Sequence, residues 1–324
     1  MKIFAWTGRA LSSSRTRTAD LVRTQVLAGC AMLAILAFPA EAYACACGCG
    51  VFDIDNIFPT EPGGSVYLEY DYMDQNQNWS GISRAPAGNN SDKDIRTSFY
   101  TAGFQYLFWS GFGVMVEVPL WDRHFATFDG VSVDTFNHAA LGDVRLTGTY
   151  SGFSADNTTG VTFGIKLPTG DSSYANFDPD TEIGSGSTDL TFGAYHVGKL
   201  STDGAWRYFV QGRYQFAVAN KSGYRPGNEL DGVAGVSYDA GSLGSGIEIS
   251  PLLQLIASTR MHDSESDSDP VNSGYSRVLI SPGIDVNIDS WTLHAEVDVP
   301  FYQNVIGNQL TAPALIKTNI AYSF

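Results

Sequence analysis

The chain has 324 residues, of which 44% are hydrophobic, 13% aromatic and only 16% charged, with 34 Gly, 16 Tyr and 19 Phe. Its formal net charge of −15 repels nucleic acid and anionic partners. Past the N-terminus no apolar run reaches the roughly 20 residues of a membrane helix. The aromatic and glycine content points instead to many strands joined by turns.

Residues 1–44 read as an export signal. Arg9, Arg15, Arg17 and Arg23 form a basic leader, Val26 to Phe38 an apolar stretch, and Ala42-Tyr43-Ala44 a small-x-small cleavage site. The segment holds five of the 19 basic residues and two of the 34 acids, so processing leaves the chain more acidic still. Leu27-Ala28-Gly29-Cys30 spells a lipobox, but at the start of the apolar run rather than after it. The mature chain is expected to begin at Cys45.

Residues 45–64 form a Cys-rich periplasmic segment, with Cys45, Cys47 and Cys49 in Cys-Ala-Cys-Gly-Cys-Gly. Thiolates at this spacing suit a soft metal ion. An oxidising compartment favours a disulfide with one thiol to spare, or a cross-link to a partner. Lipid attachment at Cys45 and no specific role are the remaining readings.

Twelve strands follow, over 65–73, 95–108, 111–121, 141–153, 159–167, 187–198, 206–218, 229–239, 246–258, 275–287, 290–300 and 313–323. Most alternate, and a strand places successive side chains on opposite faces. Val114, Val116 and Val118 oppose Met115 and Glu117; Trp291, Leu293, Ala295, Val297 and Val299 oppose His294, Glu296 and Asp298. The links alternate between short turns and long polar loops (74–94, 122–140, 168–186, 219–228, 259–274 and 301–312). Lipid cannot satisfy an open sheet edge. The fold expected is therefore all-β, a closed up-and-down antiparallel transmembrane barrel over 65–324 with both termini periplasmic. A secreted soluble β protein gives no reason for loops sorted this way.

In the last strand Ile316, Thr318, Ile320, Tyr322 and Phe324 share one face, and Lys317 and Asn319 the other. This resembles the closing strand of bacterial outer-membrane barrels, whose C-terminal aromatic is read by the barrel-assembly machinery. The resemblance implies the barrel-assembly machinery as a partner through Phe324. It also implies outer-membrane lipid and lipopolysaccharide as surroundings.

If the apolar stripes meet lipid, the opposite stripes line a lumen. On strands 1 to 6 these carry Glu69, Asp71, Glu117, Asp143, Arg145, Lys166 and Asp189. On strands 7 to 9 they carry Arg207, Arg213, Asp231 and Glu248, and on strands 10 to 12 Arg277, Asp285, His294, Glu296, Asp298 and Lys317. Charges at membrane depth need water or a counter-charge. The lumen is then either a network of ion pairs or a narrow aqueous path, since twelve strands lie between filled and open barrels. An acidic excess favours cations or small neutral solutes over anions.

The acids at Asp263, Glu265, Asp267 and Asp269, and those at Asp171, Asp178, Asp180 and Glu182, are either solvated loops or oxygen donors for Ca²⁺. No Ser–His arrangement among the five histidines forms a recognisable catalytic site, so no enzyme is expected.

Three segments carry a family resemblance: Leu141-Gly142-Asp143, Lys166-Leu167-Pro168-Thr169-Gly170-Asp171, and Gly184-Ser185-Gly186-Ser187-Thr188-Asp189. With Val118-Pro119 they resemble the outer-membrane transporter family named for the MetA pathway of phenol degradation, over roughly residues 65–324. The resemblance implies passage of small, often aromatic or hydrophobic, compounds. The functional expectation is an outer-membrane channel for small solutes. The alternative is a barrel that docks a periplasmic metal-handling or electron-transfer partner through its Cys-rich tip.

Overall fold

The computed structural model describes residues 61–221, 223–242 and 246–324. The export signal and Cys45, Cys47 and Cys49 lie outside the described residues.

The strands are β1 (Gly63–Gln75), β2 (Gln77–Gly81), β3 (Ser83–Arg84), β4 (Asp92–Leu107), β5 (Phe112–Phe128), β6 (Val133–Leu141), β7 (Arg145–Tyr150) and β8 (Thr159–Lys166). They continue as β9 (Ser187–Lys199), β10 (Trp206–Asn220), β11 (Glu229–Tyr238), β12 (Ile247–Arg260), β13 (Tyr275–Ile288), β14 (Trp291–Thr311) and β15 (Leu315–Ser323). Twelve of them close an antiparallel barrel. Its order runs from β13 down through β7, then β5, β4, β1, β15 and β14, which pairs with β13 again. Apart from β1 on β15, which joins the two ends of the chain, each barrel pairing is between successive barrel strands.

The outside is apolar all the way round. Val66, Leu68, Phe104, Val118, Phe163, Phe192, Val210, Leu255, Ile284, Val297, Ile316 and Ile320 are all exposed. Soluble monomers seldom expose contiguous apolar patches above a few hundred Å², so an encircling belt belongs in lipid. At the turn end the belt is edged by aromatic pairs: Phe112 on Tyr150 at 4.7 Å, Trp206 on Tyr238 at 4.8 Å and Trp291 on Tyr322 at 5.0 Å between ring centroids. Aromatic rings sit well there because their bodies are apolar and their tips polar.

Three segments read as loops are largely strand. Residues 122–140 form a hairpin: β5 runs on to Phe128 and pairs with β6 from Phe128–Val133 to Leu120–Leu141. β6 and β7 are one strand in two pieces, with the register against β5 slipping by one residue across Gly142–Val144. The expected strand 141–153 is thus replaced by β6 and β7 with this break between them. Residues 301–312 belong to β14, which pairs with β13 up to Val305 and with β2 from Asn308 to Thr311. Gly307, at φ 68°, lies in the register break between Val305 and Asn308, a conformation that favours glycine. Residues 74–94 supply β2, β3 and a short 3₁₀ turn at Ala87–Asn89. Met73 pairs with Leu315 and Gln77 with Thr311, so β2 continues the β1–β15 ladder in the same register. Pro313 lies in the gap, where it can donate no ladder bond.

Candidate functional site: the barrel lumen

The inward stripes carry most of the buried charge of the molecule. On β1 they are Ser65, Tyr67, Glu69, Asp71, Met73 and Gln75, all buried. On β14 and β15 they include His294, Glu296, Asp298, Leu315, Lys317 and Asn319, also buried.

One wall is organised around Lys166. Its Nζ lies 2.8 Å from Asp189 Oδ2 and 3.5 Å from Asp143 Oδ2, and it donates to Ser185 Oγ at 2.6 Å. Asp189 also accepts from Ser187 Oγ at 2.6 Å and Gln215 Nε2 at 2.7 Å. One lysine between two carboxylates leaves a deficit of positive charge, which the hydroxyl and amide donors offset. The rest of the lumen wall holds separate pairs. Arg213 donates to Asp231 at 2.9 Å, and Ser258 to the other oxygen of Asp231 at 2.6 Å. His294 Nδ1 lies 2.6 Å from Asp285, and Glu296 accepts from Gln254 and from Ser281. Lys317 Nζ is 3.8 Å from Glu69, and Tyr67 donates to Glu117 at 3.0 Å.

Arg145 and Arg277 are half-buried along the same stripes. Arg277 stacks over the Tyr275 ring at 4.5 Å from its centroid. Arg207 and Glu248 keep the inward alternation but stand at the turn end of β10 and β12, where both are exposed.

Residues 167–186 fold inward across the loop end of the barrel. The three sequence segments singled out above meet at their base. Asp143 Oδ1 accepts from Gly170 N at 3.0 Å, and its Oδ2 from Ser185 N at 2.9 Å and Ser185 Oγ at 2.6 Å. Gly170 and Gly184 touch backbone to backbone: a Cβ on Gly184 would fall 2.4 Å from the Gly170 carbonyl carbon. Gly142 packs on the same spot, since a Cβ on Gly170 would meet its carbonyl carbon at 2.8 Å. Here the glycines serve close approach.

Arg123 holds the far side of this segment. It is fully buried, donates through Nε to Thr97 Oγ1 at 3.0 Å, and bonds the carbonyls of Thr181 and Glu182. Phe177 completes the seal by packing on Ile95, Phe125 and Leu310. Burial pushes the Glu182 carboxyl up to about 7. Burial, with the charges of Asp92, Asp178 and Asp263, also holds the half-buried Asp180 well above the usual carboxylate range. The Asp171 carboxyl is held low by its hydrogen bond with His138 at 2.9 Å.

Two cavities follow the axis. One holds about 970 Å³ of space free of atoms, between Phe99, Trp121, Arg123, Asp180, Glu182, Asp189 and Arg260. The next, of about 800 Å³, lies toward the turn end between Gln105, Met115, Thr147, Tyr195, Gln211 and Arg213. Glu117, Arg145 and Lys166 belong to both walls, so a charged waist divides the lumen.

Comparison with known proteins agrees at the level of fold. No protein-family model matches the chain, and no curated protein matches it. An outer-membrane channel from Pseudomonas putida F1 superposes with a TM-score of 0.59, covering 83% of this chain and 97% of that one at 11% identity. More distant are the β-domain of the Bordetella autotransporter BrkA (TM-score 0.48, 14% identity, 82% and 100% covered) and the KdgM porin (0.39, 11%, 80% and 99%). The chain has the barrel fold of Gram-negative outer-membrane proteins.

Sequence reasoning missed several lumen residues. Arg123 and Phe125 were assigned to a loop; they sit on β5 above the apolar belt, where water on both sides erases the alternation. Met73, Phe99, Trp121 and Leu315 form an apolar patch inside the lumen, as do Val233, Ile256 and Leu279 beside Phe209. His124 and His138, expected in a loop, lie on β5 and β6. His196 bonds Thr159 Oγ1 at 2.7 Å and Tyr208 at 3.0 Å. The acids of 263–269 turn to different partners: Asp263 to Arg260, Tyr224 and Gly227 N, Glu265 to Asn220, and Asp269 to Asn272. Among the described residues no three His, Cys, Asp or Glu converge as a metal site would require.

Proposed function

We propose that this barrel is an outer-membrane channel through which small solutes, cations or small neutral and aromatic compounds, pass by diffusion. The observation that carries the reading is the pair of cavities along the axis, both lined by the charged residues Glu117, Arg145 and Lys166, inside a wall with an apolar exterior. A barrel with no transport role has no need of charged groups facing such space, because buried charges cost desolvation that only water or a partner offsets. The resemblance of its Gly-rich segments to a transporter family supports the same reading. In this orientation the short turns and both termini are periplasmic.

The test is single-channel recording in planar bilayers with the mature protein, together with liposome swelling in small sugars and amines. A small, cation-favouring conductance is the expected result. An electrically silent barrel that is correctly inserted overturns the proposal.

The interlocked ion pairs favour one second reading, a barrel that scaffolds a periplasmic partner through Cys45, Cys47 and Cys49. Replacing all three by Ser then releases that partner and leaves conductance unchanged.

A further inference from the structure

A third interior cavity lies between β1, β13, β14 and β15. It holds about 630 Å³ of space free of atoms and shares no lining residue with the two axial cavities. Its wall is mixed: Met73, Leu279, Val305, Leu310 and Leu315 form a buried apolar side, and Gln75, Arg277, Asp298, Gln303, Gln309 and Thr311 a polar one.

Two of the polar groups are deeply buried acceptors. Asp298 is 1% exposed and Gln75 6% exposed. Asp298 Oδ1 and Gln75 Oε1 have no hydrogen-bond partner in the protein. A buried acceptor is costly to leave without a donor. A chamber with one apolar side and two such acceptors therefore complements a molecule with an apolar body and a donor-bearing head.

Charge selects among the possible heads. One of the acceptors is a carboxylate, and Glu296 follows the same inward stripe. The chain's net charge of −15 raises the local concentration of cations. Arg277 also lines the wall, its guanidinium 4.5 Å from the Tyr275 ring centroid, and it and Lys317 offset part of the negative charge at Asp298, so an ammonium with further apolar contacts is favoured over a bare cation. We infer that this cavity binds a small organic ammonium, its head donating to Asp298 Oδ1 and Gln75 Oε1 and its apolar body lying against Met73, Leu279 and Leu315. The site deepens the channel reading by naming a solute class. Its role in passage rests on that reading, but binding does not.

The test is calorimetric titration of the full mature protein in detergent with 2-phenylethylamine, compared with 2-phenylethanol and phenylacetate. The amine is expected to bind saturably, and the alcohol roughly tenfold more weakly because it lacks charge assistance. Asp298→Asn should weaken the amine to the level of the alcohol. Leu279→Trp, which fills the chamber and leaves both acceptor residues in the chain, should abolish binding of both. Folding of each variant is checked by its heat-dependent shift on a gel. Absence of saturable amine binding, equal binding of phenylacetate, or full amine affinity in a folded Asp298→Asn protein overturns the inference. Conductance recorded on the same samples separates the two proposals. Current without amine binding sinks only this site, and amine binding without current sinks only the channel.

Discussion

Lys166 Nζ sits 2.8 Å from Asp189 Oδ2, and both side chains are buried inside the barrel. The two come from adjacent antiparallel strands and face each other directly in the β8–β9 ladder. Asp143, at 3.5 Å on the other side, makes the lysine the link between the barrel wall and the inward-folded segment 167–186.

Lys166→Met should therefore cost more than a surface pair would. Removing one partner of a buried pair typically costs about 3–5 kcal/mol, because the remaining charge is left uncompensated. Here two carboxylates are left. Asp189→Asn should cost less, since Lys166 keeps Asp143 and the Ser185 hydroxyl. Urea unfolding in detergent, read by the heat-dependent gel shift, checks the order of the two variants.

Gly184→Ala tests the knot at the base of the inward segment. The added methyl would fall 2.4 Å from the Gly170 carbonyl carbon, and backbone cannot yield there as a flexible side chain can. The strands bear none of this contact, so the barrel should still assemble while segment 167–186 lifts away from Arg123. The expected result is larger single-channel conductance together with faster proteolysis within 167–186. Unchanged conductance with intact protease resistance would show that the segment tolerates the methyl in place.

Docking of the same segment should depend on pH. Glu182 titrates at about 7 when docked, raised by burial above the ordinary carboxylate range and opposed by Arg123 and Lys221. The docked state binds the proton more tightly than the released one. Docking is thus undiminished below the ordinary carboxylate range and weakens as pH rises from there to about 7. The raised carboxyl of Asp180 works in the same direction, and Asp171, held low beside His138, opposes it only in the more acid range. Channel opening should increase with pH across this window, and Glu182→Gln should flatten the profile. Bilayer recordings at stepped pH provide the measurement.

The parts of the fold legible in the sequence are those where lipid and water lie on opposite sides of a strand. Ile316, Thr318 and Ile320 against Lys317 and Asn319 is such a stretch, and its inside and outside match the structure. Beyond the apolar belt both faces are wet, and the pattern fades. The β5–β6 hairpin and the outer arm of β14 were hidden for that reason. The meeting of Gly142, Gly170 and Gly184 was hidden by sequence distance, although each motif was visible alone. Met73, Phe99 and Leu279 were missed because an apolar residue reads the same whether it faces lipid or an apolar patch of the lumen.

The two faces of β15 give a direct check on the membrane assignment, because adjacent residues there should respond oppositely to one substitution. Ile320 points outward and is 41% exposed in the protein alone, whereas Asn319 points inward, with Nδ2 3.4 Å from Glu69. Ile320→Arg places a guanidinium in the lipid belt, one outward position in from Tyr322, at a cost between about 1 kcal/mol, as at the interface, and about 2–4 kcal/mol, as at the bilayer midplane. Asn319→Arg places the same group beside a carboxylate in the polar interior, where a counter-charge meets it. Refolding yield into lipid vesicles should fall for the first variant and hold for the second. In lipid-free buffer a surface Ile→Arg change would be nearly neutral, so equal yields for the two variants would mean that this face does not meet lipid.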